Sequence, residues 1–253
     1  MLSVSREKMT LYDTYLALQK VLGNQIEPFE SIDLVEEYRR YFKPVRVKVI
    51  LLAESHVFTS DEDIKIHIPK ISRLKDYPTK YAKFVYCLAY GERSLTKDIN
   101  HPKRDGTPQF WKILYSCNTA INNKDDFLPV LSRTPTQERI KNKVNTLLSL
   151  KKKGVWLVDT SIAALYKNGN KLRNMQKAIS VSWQSYTKQV VLDANPHHVI
   201  CIGKGVARKV EKDLKKHFNG RYSVVAQPNS FLSSEEHMAN YIHYSKVCCS
   251  ENG

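Results

Sequence analysis

The sequence has no stretch approaching the ~20 consecutive apolar residues that a membrane-spanning helix needs. Its N-terminus lacks the basic-then-apolar pattern of a secretory signal peptide. Internal repeats and low-complexity segments are also missing. From these absences we expect an intracellular, cytoplasmic protein that does not act on a membrane.

Cysteine is sparse and scattered, which fits a reducing cytosol where disulfides are rare. The cysteine spacing matches neither a zinc site nor an iron–sulfur cluster. The acidic residues also lack the spacing of a metal-dependent nuclease. The sequence therefore predicts neither a metal nor a cofactor. The five cysteines are Cys87, Cys117, Cys201, Cys248 and Cys249.

Acidic residues are in deficit, because 25 Asp and Glu face 40 Lys and Arg, for a formal charge of +15. An excess this large predicts a polyanionic partner, and nucleic acid is favoured over an acidic membrane. A basic protein that is merely soluble is the alternative interpretation. The 253 residues suffice for one large α/β domain with a real core.

Four apolar runs each end in small, polar or charged residues. Short β-branched runs that are bounded by turn residues and separated by helical stretches are typical of buried parallel strands. Ligands of such sheets bind beyond the carboxyl ends of the strands. We therefore predict an α/β fold, a three-layer α/β/α sandwich with a central, mostly parallel four-stranded sheet and an active site along that edge. The runs are residues 47–53, 155–158, 199–202 and 223–226.

Helical stretches surround and separate these runs, and the whole chain, residues 1–253, is expected to form one domain. Residues 1–44 are predicted to be N-terminal helices, and residues 61–107 an inserted cap. A connection of that length is too long for a bare loop, so we expect the cap to be functional. The predicted helices are residues 6–22, 32–42, 81–90, 108–119, 136–153, 186–194, 206–217 and 234–247.

Five segments, taken in chain order, resemble motifs of the uracil-DNA glycosylase superfamily, most closely its mismatch-specific branch. Residues 53–60 stand where that branch has Gly-Ile-Asn-Pro-Gly-Leu-Ser-Ser, and residues 109–115 are similar to its Arg-Phe-Trp-Lys-Val-Ile-Tyr helix. Residues 154–159 are similar to its Gly-Val-Thr-Lys-Leu-Val-Asp segment, and residues 201–204 to its Ile-Leu-Gly-Lys strand end. Residues 227–233 approximate its Pro-Asn-Pro-Ser-Gly-Leu-Ser motif.

The resemblance implies a uracil-DNA glycosylase-like fold and a monofunctional enzyme. Such an enzyme flips a pyrimidine nucleotide out of duplex DNA and hydrolyses its N-glycosidic bond, which leaves an abasic site. It needs a pocket that stacks on the base and reads its edge, with basic residues that hold phosphates. The resemblance implies no cofactor and no obligate protein partner.

The reaction needs a water aimed at the sugar and a negative charge that stabilises the cationic sugar as the bond breaks. The superfamily has Asp or Asn at the third position of its first motif, where this chain has Ser55. Glu54 comes one residue earlier, as in a thermophilic branch with Gly-Glu-Ala-Pro-Gly. We predict that Glu54, or else Asp61, supplies the charge and that Ser55 or His56 orients the water.

Side chains near the other junctions are candidates for binding the base and the DNA. Asp159 stands where the classical uracil enzymes have Asn, and a carboxylate offers only acceptors, which suits the amino group of cytosine. The predicted base-binding residues are Phe58 and Tyr90, which stack on the ring, and Asp159, Gln227 and Asn229, which read its edge. The predicted DNA-binding residues are Lys204 and Ser230, with Phe231 or Leu232 as the wedge that fills the vacated stack.

Several alternatives stay open at this point. We favour a 5-modified cytosine admitted by an enlarged cap, as in defence against modified viral DNA, over uracil in base excision repair. A catalytically inactive DNA-binding or damage-sensing protein is a further alternative, because Ser55 cannot carry charge. For Phe110 and Trp111, core packing against the sheet is favoured over base stacking.

Overall fold

The computed structural model describes residues 9–96, 108–228 and 231–249. In these residues the strands are β1 (Val49–Ala53), β2 (Val155–Asp159), β3 (Tyr166–Lys167), β4 (Asn170–Lys171), β5 (His198–Ile202) and β6 (Tyr222–Val225). Four of them form one parallel sheet in the order β2-β1-β5-β6. The other two, β3 and β4, form a small antiparallel hairpin. The predicted α/β class with a four-stranded parallel sheet is confirmed.

The central strands form where the β-branched runs lie, within one or two residues of the predicted bounds. Every residue of β1 and β2 is buried, as expected when helices cover both faces of a parallel sheet. This burial is consistent with the expected three-layer arrangement. The register pairs Ala53 with Asp159, so the polar segments that follow β1 and β2 begin at the same level.

The strand order creates a switch point in the middle of the sheet. The chain runs from β1 to β2 on one side, then crosses to β5 on the other side of β1 and continues outward to β6. Connections that diverge from two adjacent strands leave a crevice at their carboxyl ends, which is where α/β sheets bind ligands. In this protein the crevice lies beyond β1 and β5.

Most helices lie where the sequence predicts them, and local capping sets their ends. Thr10 and Asp13 form a reciprocal capping box that starts the first helix. No helix in the described ranges is both long and apolar enough to cross a membrane. The helices are α1 (Leu11–Leu22), α2 (Phe29–Tyr41), α3 (Asp61–Ile64), α4 (Pro108–Ser116), α5 (Thr136–Lys153), α6 (Met175–Ser182), α7 (Lys188–Ala194), α8 (Lys204–His217) and α9 (Ser234–Cys249). A π-helical turn, Trp183–Thr187, joins α6 to α7.

The prediction of a helix at residues 81–90 is wrong, because this stretch forms a succession of turns. Two of its backbone donors bond to side chains outside the stretch: the N–H of Lys83 donates to the hydroxyl of Thr59, and the N–H of Leu88 donates to the hydroxyl of Tyr77. Nearly every side chain in the stretch is buried. Since it has no solvent-facing side, its apolar character signalled burial and not an amphipathic helix.

The described part of the inserted segment, residues 61–96, packs into the main core instead of lying over it. Ile68, Leu74 and Tyr77 are buried in the same cluster as the central strands. Helix α2 holds the segment, because the hydroxyl of Tyr38 donates to the carbonyl of Lys80 at 2.7 Å. The segment therefore forms a wall of the protein beside the carboxyl ends of the strands.

Gly154 joins α5 to β2 in the left-handed region, with φ of 87°. A Cβ atom there would lie 2.8 Å from the carbonyl oxygen of Arg46 and 2.9 Å from Cγ of Lys48. We predict that Gly154→Ala lowers the free energy of unfolding by about 1–3 kcal/mol, measured by urea titration. Gly205→Ala is the control, since an added Cβ meets nothing within 4 Å there. Equal stabilities of the two variants would contradict this account.

Candidate active site

A pocket of about 250 Å³ lies at the switch point, and residues from the ends of all four parallel strands line it. The segment after β1 contributes Glu54, Ser55 and His56, and β2 contributes Asp159. Gln227 follows β6 at the same rim. The remaining walls are mainly apolar, with Phe84, Val85, Tyr90, Phe110 and Tyr166 among them. Polar groups that are far apart in the sequence thus converge on one largely apolar cavity.

Glu54 is the pocket's half-buried carboxylate directly after β1. Burial raises the pKa of its carboxyl above the ordinary value, although a hydrogen bond with Tyr166 and the charge of Lys171 act in the opposite direction. Burial, and after it the same contact with Glu54, raises the pKa of Tyr166 to about 12. Glu54 is therefore held in place by a phenol and lies where a carboxylate is poorly solvated.

Tyr166 and Lys171 are site residues that the sequence-based prediction missed. They are paired across the β3–β4 hairpin, whose two-residue turn is Asn168-Gly169. Both turn residues have positive φ, 52° and 80°, as a tight hairpin of this type requires. The Asn-Gly pair was a readable signal for the hairpin, but nothing local indicated that it would fold over Glu54.

Ser55 is half-buried and lines the pocket. Its hydroxyl oxygen accepts a hydrogen bond from the backbone N–H of Leu165 at 3.3 Å. This contact ties the loop after β1 to the loop after β2. The hydroxyl hydrogen of Ser55 remains a donor that can be directed toward a water in the pocket.

His56 is buried at the wall of the pocket, and both of its ring nitrogens lie next to carboxylates that anchor the loop. Its Nε2 lies 2.7 Å from Oε1 of Glu27, and its Nδ1 lies 3.6 Å from Oδ2 of Asp159. Burial by itself would lower the pKa of His56, but the two carboxylates outweigh it and raise the pKa to about 9. The imidazole is therefore cationic at neutral pH and sits between two anions.

Glu27, in the segment between α1 and α2, braces both loops at the pocket. Besides His56, it accepts hydrogen bonds from the backbone N–H of Thr59 at 3.0 Å and of Ala164 at 2.7 Å. Its side chain is fully buried. Sequence reasoning missed it, because a single Glu in a connection carries no signal of a distant partner.

Asp159 is buried, and the guanidinium of Arg39 on helix α2 contacts it. Nη2 of Arg39 lies 2.8 Å from Oδ2 of Asp159, and Nη1 binds Glu36 on the same helix. The Arg39 guanidinium also lies over the Phe84 ring, 5.3 Å from its centroid. Glu27, His56, Asp159, Arg39 and Glu36 thus form a buried chain of alternating charge under the pocket.

The predicted stacking residues are divided between two places. Tyr90 lines the pocket, as does Phe110 at the start of α4. Trp111 is fully buried in the core, which is the packing alternative. Phe58 lines a separate groove beside α1, where the Lys167 ammonium lies 4.4 Å from its ring centroid. The structure therefore brings Tyr90, and not Phe58, to the pocket.

Asp61 lies away from the pocket, in the separate groove that contains Phe58. The reason is local, because Ser60 and Asp63 form a capping box that starts the short helix α3 at Asp61. Asp61 is exposed at that helix start. Of the two carboxylates considered from the sequence, the geometry leaves Glu54 at the pocket.

Of the predicted DNA-binding residues, Lys204 follows β5 by two residues, and none of Lys204, Phe231 and Leu232 lines the pocket. Lys204 is exposed at the first position of α8, and Leu232 is half-buried. Phe231 is 93% exposed. Asn229 and Ser230 lie outside the described residues.

Comparison with protein-family models found no matching family, and a search of curated proteins found no match. Among the described residues, no group of three or more His, Cys, Asp or Glu side chains could hold a metal ion.

The raised pKa of His56 makes stability depend on pH. A group whose folded pKa exceeds its unfolded value stabilises the fold fully below the unfolded value, ~6.5, and that stabilisation is lost as pH rises through the folded value, about 9. We predict that the free energy of unfolding falls by on the order of 3 kcal/mol between these pH values.

The measurement is urea unfolding at a series of pH values for the wild type and for His56→Gln. The variant has no proton to lose at this position and should lack most of the slope. His67→Gln changes a surface histidine and should keep the wild-type slope. A His56→Gln variant with an unchanged slope would remove the assigned ionic role.

Proposed function

We propose that this protein is a DNA glycosylase that flips a pyrimidine nucleotide into the switch-point pocket and hydrolyses its N-glycosidic bond. The observation that supports this most is the convergence of Glu54, Ser55, Asp159 and Gln227 on one aromatic-walled cavity. The order of the motifs along the chain, which resembles that of the uracil-DNA glycosylase superfamily, supports the same function.

The cavity suits a single base. Its volume of about 250 Å³ is below the ~300–1,000 Å³ typical of pockets for drug-sized ligands. Phe110 and Tyr90 offer ring faces or edges to a heterocycle, and polar groups at the rim can read the edge of the base. A base must leave the helical stack to reach such a pocket, so the proposal includes base flipping.

Glu54 is proposed to stabilise the positive charge that develops on the sugar, while Ser55 orients the attacking water. A carboxylate in a poorly solvated pocket acts more strongly on a nearby cation than one in bulk water. Tyr166 holds the carboxyl by a hydrogen bond, which limits its movement. No metal or cofactor is part of this proposal.

Basic residues beside the pocket are proposed to hold the DNA backbone. A further groove, distinct from the one that contains Phe58 and Asp61, shares Gln109 with the pocket and is lined by Lys112, Lys124 and Arg133. Burial and the neighbouring Lys124 lower the pKa of Lys112, as expected where cations gather. Together with the formal charge of +15, this groove favours a polyanionic strand next to the base site.

The substrate is proposed to be a cytosine-type base, including 5-modified cytosines, because Asp159 presents a carboxylate to the pocket. A role in defence against modified viral DNA follows if a 5-substituent is accepted, and uracil repair is the competing role. The deciding experiment is mass spectrometry of bases released from DNAs that contain uracil, cytosine or 5-modified cytosines. Alkali treatment of the incubated DNA separates the activities. Strand breaks that appear only after alkali indicate abasic sites, and strand breaks without alkali indicate a nuclease. If the strands stay intact, the protein is an inactive binder.

We predict that Glu54→Gln lowers the rate of base release about a hundredfold and leaves DNA affinity unchanged. Because the ionised carboxylate is the active form, wild-type release should fall as pH falls through the raised pKa of Glu54. The variant should lose that pH dependence. Rates are measured by alkaline cleavage of end-labelled DNA.

Glu62→Gln is the matched control, since Glu62 is 81% exposed and pairs with Lys65 on the surface. It should release bases at the wild-type rate. Normal cleavage by both Glu54→Gln and Ser55→Ala would show that neither residue has the catalytic role.

Phe231 is the stronger candidate for the wedge, because it is 93% exposed and Leu232 is half-buried. We predict that Phe231→Ala slows release from duplex DNA about tenfold or more, as losing a wedge raises the cost of unstacking by a few kcal/mol. Release from single strands, which need no wedge, should stay normal. Val45→Ala, at an exposed position before β1, is the control. An equal loss on both kinds of DNA would rule out a wedge.

A further inference from the structure

The two carboxylate oxygens of Asp159 have different surroundings. Nη2 of Arg39 lies 2.8 Å from Oδ2, and Nδ1 of His56 lies 3.6 Å from the same oxygen. Among the described residues, these are the ionic and hydrogen-bonding partners of the carboxylate, and neither contacts Oδ1. Since Asp159 lines the pocket, Oδ1 is the oxygen left to meet a ligand.

Arg39 is itself fixed, so its donor stays in place. The guanidinium binds Glu36 through Nη1 and lies over the Phe84 ring at 5.3 Å. The backbone carbonyl of Arg39 accepts a hydrogen bond from Nε1 of Trp156 on β2 at 2.9 Å. Glu36 in turn accepts from the hydroxyl of Tyr186 at 3.2 Å. A buried guanidinium held on several sides cannot turn away from Asp159.

We propose that Arg39 is a positioning residue that sets base specificity, by holding Oδ2 of Asp159 so that Oδ1 faces the pocket as an acceptor. This inference rests on the proposed function, in which the pocket takes a flipped base. The pocket then selects a base with an N–H donor at the matching edge, such as the exocyclic amino group of cytosine. A carbonyl there, as in uracil, faces a carboxylate with no hydrogen to share.

The role of Arg39 becomes visible in the Asp159→Asn variant. An amide has one acceptor and one donor end, and Arg39 offers only donors. The amide oxygen must therefore turn to Arg39, which directs the NH₂ group into the pocket. The pocket should then prefer a base with a carbonyl at that edge. Without Arg39 the amide keeps only the 3.6 Å contact with Nδ1 of His56, and the preference should become much weaker.

The test measures binding, so that it does not depend on catalysis. Single-stranded oligonucleotides carry one 2′-fluoroarabino cytosine or uracil, because the 2′-fluorine resists glycosidic cleavage and an unpaired base has no pairing to break. Affinities are measured by fluorescence anisotropy competition against the same strand with an abasic analogue. The wild type should bind the cytosine probe about tenfold or more tightly than the uracil probe, the scale of one lost base contact.

Asp159→Asn should reverse this preference, and Asp159→Asn combined with Arg39→Met should bind both probes within about threefold of each other. The double variant removes the Arg39–Asp159 ion pair, but it also leaves the buried Glu36 without its guanidinium, so its stability should be lower than that of the wild type. Thermal melting checks the fold of each variant. If the double variant does not fold, Asp159→Asn combined with Arg39→Lys keeps a donor and should retain the uracil preference.

Several outcomes would overturn the inference. One is an Asp159→Asn variant that still prefers cytosine, and another is a folded double variant that prefers uracil as strongly as the single one. Loss of the uracil preference in the variant that combines Asp159→Asn with Arg39→Lys would also count against the inference. Equal binding of both probes and the abasic strand by the wild type would overturn the base site as well.

Base release from ordinary nucleotides, measured on the same proteins, separates this inference from the proposed function. The predicted preferences without any release would support the reading of the base and reject the glycosylase. Base release by variants whose base preference equals that of the wild type would support the glycosylase and reject the role of Arg39.

Discussion

The buried chain of alternating charges beneath the pocket is the interaction on which the site depends. Glu27 and Glu36 come from the N-terminal segment, His56 follows β1, and Asp159 ends β2. These buried charges therefore link parts of the sequence that are more than a hundred residues apart. Removing one member of a buried ion pair typically costs about 3–5 kcal/mol, because its partner is left charged and unsolvated. The charges therefore constrain the position of every loop that they join.

This constraint explains why the N-terminal helices belong to the site. Glu27 accepts hydrogen bonds from the backbone N–H groups of Thr59 and Ala164, one in each loop. Arg39 on α2 forms an ion pair with Asp159. The loops hold Glu54 and Ser55 at fixed places along the sheet edge. A site built in this way is pre-organised, since its polar groups need little rearrangement when a ligand arrives.

The apolar walls complete the arrangement from a different direction. The inserted segment packs against α2 and the central strands, and it brings Phe84 and Tyr90 to the pocket. The pocket is thus formed by the sheet edge, the insertion, α4 and the β3–β4 hairpin together. Low polarity around Glu54 follows from these walls, and with it the raised pKa of that carboxyl. The reactivity proposed for Glu54 is a property of the assembly.

The sequence by itself indicated the strands of the sheet, because short β-branched runs that end in polar residues are typical of buried parallel strands. It also placed Glu54, Ser55, Asp159 and Gln227 at one edge. Only the tertiary structure decided that residues 81–90 are not a helix, that Asp61 and Phe58 lie in another groove, and that His56 is an ionic anchor. Those outcomes depend on contacts between residues far apart in the chain, such as His56 with Glu27, and no local pattern specifies which charges will be buried together.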